Sequence, residues 1–137
     1  VKGYEFCLMT ASNVDSPSVL QNEFRKRPFN FGGALEPALA AVALNLLRVG
    51  PSDTLLDPCC GSGTVLFGGL ERGATVRGFD IAPKFASGTR RNLEKYGFPT
   101  DGEEELMSQG YQGRVAVATH DSRLPLDTFR SLGNVTA

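Results

Sequence analysis

Four short apolar runs in this chain are separated by stretches of helical period, and that alternation leaves few folds open. Thr54-Leu55-Leu56-Asp57 reads as a buried strand that runs into a Gly-rich turn. Residues 63–72 follow with helical spacing and stop at Gly73. Residues 75–81 read as the next strand, with Val76 and Phe79 as its apolar members. Pro83 opens a second helix, with Phe85, Thr89, Leu93 and Tyr96 on one face and Gly97 as its stop. Residues 114–119 alternate at Val115 and Val117 as a third strand, residues 124–132 suit a short helix, and residues 134–137 begin a fourth strand. Strands alternating with helices imply an α/β fold: a parallel sheet with helices on both faces.

A further helix precedes this run. Leu35, Leu39, Val42, Leu46 and Val49 recur at steps of four, three, four and three, which predicts one buried apolar face. Pro37 suits its first turn, Arg48 its last, and Gly50-Pro51 its stop. Residues 1–26 read as a lead-in with a short strand over 4–9 and a polar loop over 11–17. Residues 98–113 form a polar connection that is long for one between packed elements, and its acidic run Glu103-Glu104-Glu105 reads as a solvated loop.

Composition narrows the partners. Lys plus Arg number 14 against 15 Asp plus Glu, so a nucleic acid would have to be met by a local patch rather than a whole-chain field. Arg25-Lys26-Arg27 is one such cluster, with phosphate contact and a solvated loop both open to it. Lys84, Arg90, Arg91 and Lys95 read as the solvated face of their helix. No apolar run approaches the roughly 18 residues of a membrane span. Three cysteines and one histidine supply neither a disulfide framework nor a zinc pattern, so a reducing, intracellular compartment is expected, with Cys59 and Cys60 as small buried residues of the turn. His120 suits a structural or ligand-edge position.

Parallel sheets of this kind bind ligands outside the carboxyl ends of their strands. After the first strand, Asp57-Pro58-Cys59-Cys60-Gly61-Ser62-Gly63-Thr64 leads into a helix. Gly61 and Gly63 allow a sharp turn and close backbone approach, and the helix start aims free N–H groups at the same spot. Leu66 stands where a nicotinamide fingerprint needs its third glycine. A tight structural turn and a ligand site both remain open for the two glycines alone. The second strand ends in Asp80, 19 residues after Gly61, where an acidic side chain can grip ribose hydroxyls or cap the next helix. Asp121 closes the third strand on the same sheet edge. Acidic residues at three strand ends, Asp57, Asp80 and Asp121, suit a nucleoside pocket.

Asp57-Pro58-Cys59-Cys60-Gly61-Ser62-Gly63-Thr64, followed by Gly78-Phe79-Asp80-Ile81, resembles the S-adenosylmethionine site of class I methyltransferases. The Asp-Pro-x-Cys-Gly-Ser-Gly-Thr form is similar to that of RNA guanine-N2 methyltransferases often linked to a THUMP RNA-binding domain. Arg27-Pro28-Phe29 with Gly33-Ala34-Leu35-Glu36-Pro37, and Asp121-Ser122-Arg123-Leu124-Pro125-Leu126, resemble segments that flank the site in those enzymes. The resemblance implies a Rossmann-like fold, with residues 27–137 as its cofactor-binding part. It implies that Asp57, Pro58, Gly61 and Gly63 line the methionine and ribose portion. Asp80 would hold the ribose, Ile81 the adenine face, and Asp121 with Ser122 the adenine amino group. Gly33, Ala34 and Leu35 would close over the methionine end.

The same resemblance implies a reacting segment, Asn/Asp-Pro-Pro-Phe/Tyr, after the fourth strand, which orients the acceptor amine. No Pro-Pro occurs in the 137 residues, which stop about where that strand would begin, so no catalytic residue is assigned. The expected activity is N2-methylation of guanosine in tRNA, with further chain or a partner subunit covering the half-sheet. A non-catalytic scaffold subunit of an RNA–protein complex and a DNA amino-methyltransferase are the alternatives.

Overall fold

The computed structural model describes residues 23–100 and 114–124. Strands β1 (Thr54–Asp57), β2 (Thr75–Asp80) and β3 (Val115–Thr119) pair in parallel, in the order β1-β2-β3. Helices α1 (Pro37–Leu46), α2 (Thr64–Glu71) and α3 (Pro83–Lys95) complete the described elements. The strands expected over 4–9 and 134–137, the loop over 11–17, and most of the polar connection and of the last helix lie outside the described residues. No helix among the described residues is long and apolar enough to cross a membrane.

The register aligns Leu55 with Val76 and Val76 with Val115, and Asp57 with Gly78 and Gly78 with Val117. Side chains alternate along a strand, so these rows share one face. Leu44 of α1, Leu66, Phe67 and Leu70 of α2, and Ala86 and Leu93 of α3 join Leu55, Val76, Val115 and Val117 in one core cluster. Each fully buried Leu or Phe contributes about 2 kcal/mol. The opposite face carries a smaller cluster of Phe79, Ala116 and Ala118, with Leu56 against it. Val76 and Phe79, read together in sequence as the apolar members of β2, therefore serve opposite faces. All three described helices pack on one side of the sheet. Phe24 also belongs to the main core: it is fully buried and stacks on Phe67 at 4.1 Å between ring centroids.

α1 departs from the sequence expectation. Its buried residues are Pro37, Ala40 and Leu44, whereas Leu39, Val42 and Leu46 are 60%, 55% and 80% exposed. The covered face is the one that meets α2 and Arg72 just beyond it. Arg72 sends Nη2 to the Asn45 side-chain oxygen at 2.9 Å and the Ala41 carbonyl at 3.4 Å, and Nη1 to its own helix at Gly68 O, 2.8 Å. Those bonds join the Ala41–Asn45 side of α1 to the end of α2, while Leu39, Val42 and Leu46 stay exposed. The end of α1 also differs from expectation. Arg48, at φ 55°, adopts the left-handed conformation, and Val49 N donates back to Leu44 O at 3.1 Å. Gly73 and Gly97 close α2 and α3 in the same way. The chain thus stops α1 at a residue that carries a Cβ penalty, ahead of Gly50-Pro51.

Candidate functional site

The loop between β1 and α2 is held from three directions. Its own turn is closed by Cys59 N donating to Asp57 Oδ1 at 3.1 Å, and by Gly63 N donating to Cys60 O at 2.8 Å. From β2, Phe79 O accepts from Cys60 N at 2.8 Å, and Asp80 Oδ2 accepts from Gly61 N at 3.1 Å. From α3, Thr89 Oγ1 donates to Gly61 O at 2.8 Å, and Asn92 Nδ2 donates to Ser62 O at 2.9 Å. Gly63 stands at φ 85°, and a Cβ on it would meet the Thr89 methyl at 2.8 Å, so only glycine fits.

Gly33, Ala34 and Leu35 face Asp57 and Gly61 across a pocket of about 250 Å³, with Phe31, Cys59 and Thr64 also on its walls. Five of the residues expected to bind cofactor therefore meet in one cavity. Pro58 and Gly63 shape the loop beside it without lining it. Burial pushes the Asp57 carboxyl above the usual carboxylate range, reinforced by the nearby Asp80 charge and opposed by the Cys59 N–H. The pocket floor is the start of α2, which has neither a side-chain cap nor an acidic residue in its first turn. Free N–H groups there favour an anion. Thr64 Oγ1 is buried at the same point without a hydrogen-bond partner. An unpaired buried hydroxyl costs free energy that a ligand acceptor would recover.

The remaining expected residues sit along the sheet edge outside this pocket. Asp80 is buried, and its second oxygen accepts from Ala82 N at 3.0 Å. Its carboxylate thus clamps both loops, and each oxygen keeps lone-pair capacity for a hydroxyl. Ile81 beside it is 59% exposed. Asp121 follows β3, bound by Arg123 through Nε at 2.8 Å and Nη2 at 2.6 Å, which lowers its pKa to about 2. Ser122 is exposed in the same turn. His120 packs edge-on to Phe79 at 5.5 Å between ring centroids.

Sequence reasoning missed several contributors. Asn92, fully buried on α3, accepts from Phe29 N at 2.8 Å and donates to Phe29 O at 2.8 Å, besides its bond to Ser62. It fastens the segment before α1 to the Gly-rich loop. A polar residue one step from Leu93 on the buried face was the available signal. Thr64 was legible only as the last residue of the motif. Two expectations are corrected. Cys59 is exposed at the pocket and only Cys60 is buried, its thiol pushed up to about 12, chiefly by burial. Arg90 is not simply solvated: it donates to Val117 O at 2.9 Å beneath α3.

The model of the RMKL-like methyltransferase domain matches residues 25–108. The tRNA (guanine(10)-N2)-dimethyltransferase of Methanothermobacter thermautotrophicus is 44% identical over 72 residues, covering 53% of this chain and 21% of that protein. The enzyme of the same name from Pyrococcus abyssi is 31% identical over 113 residues, covering 74% of this chain and 34% of that protein. The tRNA (guanine(10)-N(2))-methyltransferase of Saccharomyces cerevisiae is 31% identical over 81 residues, covering 55% of this chain and 19% of its own length. The chain thus spans about a fifth to a third of these relatives. With the parallel sheet and the strand-end pocket, the match shows that the chain belongs to the RMKL-like methyltransferase domain family (UPF0020), whose cofactor is S-adenosylmethionine.

Proposed function

We propose that this chain carries the S-adenosylmethionine-binding part of an RNA methyltransferase that modifies N2 of a guanosine in tRNA. The observation that carries the reading is the pocket at the β1–α2 turn, where Asp57 stands opposite an uncapped helix start with an unpaired Thr64 hydroxyl. The methionine end of the cofactor is a zwitterion. Its ammonium suits the Asp57 carboxylate, and its carboxylate suits the α2 N–H groups and Thr64. Gly33, Ala34 and Leu35 form the wall that shields this end from water.

Asp80 takes the ribose hydroxyls with the lone pairs left by Gly61 N and Ala82 N, and Ile81 offers an exposed apolar side chain to the adenine. Asp121, with Ser122 beside it, accepts from the adenine amino group through the capacity that Arg123 leaves. The bound cofactor supplies an electrophilic methyl group; the residues here bind and orient it. The names of the relatives support guanosine in tRNA as the acceptor.

Calorimetric titration with S-adenosylmethionine tests the cofactor half, and absence of binding refutes it. Radiolabelled methyl transfer by the whole encoded protein to unmodified tRNA, against duplex DNA, tests the acceptor. Transfer to DNA alone, or to neither, refutes that half.

A further inference from the structure

The basic triplet before α1 does not behave as one patch. Lys26 pairs with Glu23 at 2.7 Å and Arg25 with Glu36 at 3.0 Å, both at the surface. Arg27 instead turns inward and is only 7% exposed. Its guanidinium lies 4.9 Å from the centre of the Phe24 ring, with Nη1 donating to Phe24 O at 3.0 Å and Nη2 to Asn30 Oδ1 at 2.9 Å. Nε is buried without a partner, and none of the ion pairs among the described residues involves Arg27. Arginine stays charged in proteins, so this is a buried cation with no ion pair of its own, and the Glu36 carboxylate acts on it only from a distance.

Arg27 borders a second pocket of about 160 Å³, together with Arg25, Asn30 and Glu36. Phe31, Ala34 and Leu35 line both this pocket and the cofactor pocket, so the two share a wall. Two guanidinium groups against one carboxylate leave the second pocket positive. The Arg25–Glu36 pair is exposed at both ends and worth at most about 1 kcal/mol, so Arg25 can turn to another anion at little cost.

We propose that this second pocket binds a phosphodiester of the acceptor RNA, with Arg27 as the fixed charge and Arg25 as the adjustable one. The inference rests on the methyltransferase reading of the neighbouring pocket. A phosphodiester seated there delivers its nucleoside across the shared Phe31–Leu35 wall toward the methyl donor. Asn30 holds Arg27 in place and is a positioning residue.

The test uses the chain labelled with ¹⁵N-arginine and saturated with S-adenosylhomocysteine, so that the cofactor carboxylate site is filled. It is titrated with the dinucleoside monophosphate GpU, and with its uncharged methylphosphonate analogue. The expected result is at least fivefold tighter binding of the charged form, with the Arg27 Nε–H signal shifting. Arg25→Gln and Arg27→Lys should each reduce that preference below twofold while S-adenosylhomocysteine affinity stays within twofold. Arg25 is exposed, so its variant reads the effect even where Arg27→Lys unfolds the chain. Equal affinity for the two dinucleotides, or no binding of either, overturns the proposal. Loss of S-adenosylhomocysteine affinity with unchanged GpU preference also overturns it, by assigning the charge to the cofactor carboxylate. Failure of the unmodified chain to bind S-adenosylhomocysteine refutes the methyltransferase reading instead, and the dinucleotide comparison still reads the subsite.

Discussion

Replacing Thr64 by valine separates a ligand-binding hydroxyl from a structural one, because the two roles predict opposite signs. Valine keeps the shape and replaces the hydroxyl with a methyl group. Thr64 Oγ1 is buried and unpaired, so the ligand-free chain bears the desolvation cost of that group, about 1–3 kcal/mol. Thr64→Val should therefore stabilise the ligand-free chain by about 1 kcal/mol, which is about 3–6 °C in Tm for a domain of this size. Cofactor binding should move the other way. A hydroxyl donating to a carboxylate contributes about 1.5–3 kcal/mol, so affinity should fall about 10- to 100-fold. Thermal melts with and without S-adenosylmethionine read both effects, since the cofactor-induced rise in Tm shrinks with affinity. Thr64→Ser, which keeps the hydroxyl, should recover most of the affinity. A lower Tm for the valine variant together with unchanged cofactor affinity would refute the assignment.

Other perturbations probe the frame around the pocket. Arg48→Gly should raise stability by about 1 kcal/mol in urea titration, because glycine carries no penalty at the φ of 55° that closes α1. Asn92→Ala should cost about 2–4 kcal/mol in the same assay, since three hydrogen bonds to Phe29 and Ser62 are lost together. Asp57→Asn should weaken cofactor binding but not the ligand-free fold. In that fold the raised pKa of Asp57 means its contribution is fully present below the ordinary carboxylate range and is lost as pH rises through the raised value. Cofactor affinity should rise over that same interval, as calorimetry across pH will show. Asp121, held at about 2, stabilises the fold above its ordinary value and ceases to do so as pH falls from about 4 to about 2. Arg123→Ala should return its NMR titration midpoint toward 3.8.

Much of the architecture was legible before any coordinates. β1, α2, β2, α3 and β3 lie within about one residue of their expected bounds, because period, β-branched content and helix-stopping glycine act through neighbouring residues. The Asp57–Gly63 turn was equally legible, since glycine at a strand-to-helix turn has few other uses. The outward stripe of α1 was not, because periodicity identifies a face without naming what covers it. Leu39 and Leu46 differ from Ala40 and Leu44 through tertiary contacts alone: Leu44 joins the main core, and Arg72, just past α2, reaches Asn45 across 27 residues. The clamp of Asn92 on Phe29 spans 63 residues, and no local pattern encodes it.

The residues with the most to say about function show the same division. Asp57, Gly61 and Asp80 stand out by type and spacing. What the sequence does not show of Thr64 and Arg27 is that the folded chain buries the Thr64 hydroxyl and the Arg27 Nε without a partner. Sequence alone determined the alternating parallel fold and the glycine-rich turn at its first strand end, because both follow from short-range backbone preference. Tertiary structure alone decided which apolar face is covered and which buried polar groups await a partner, because desolvation depends on every element packed around a group.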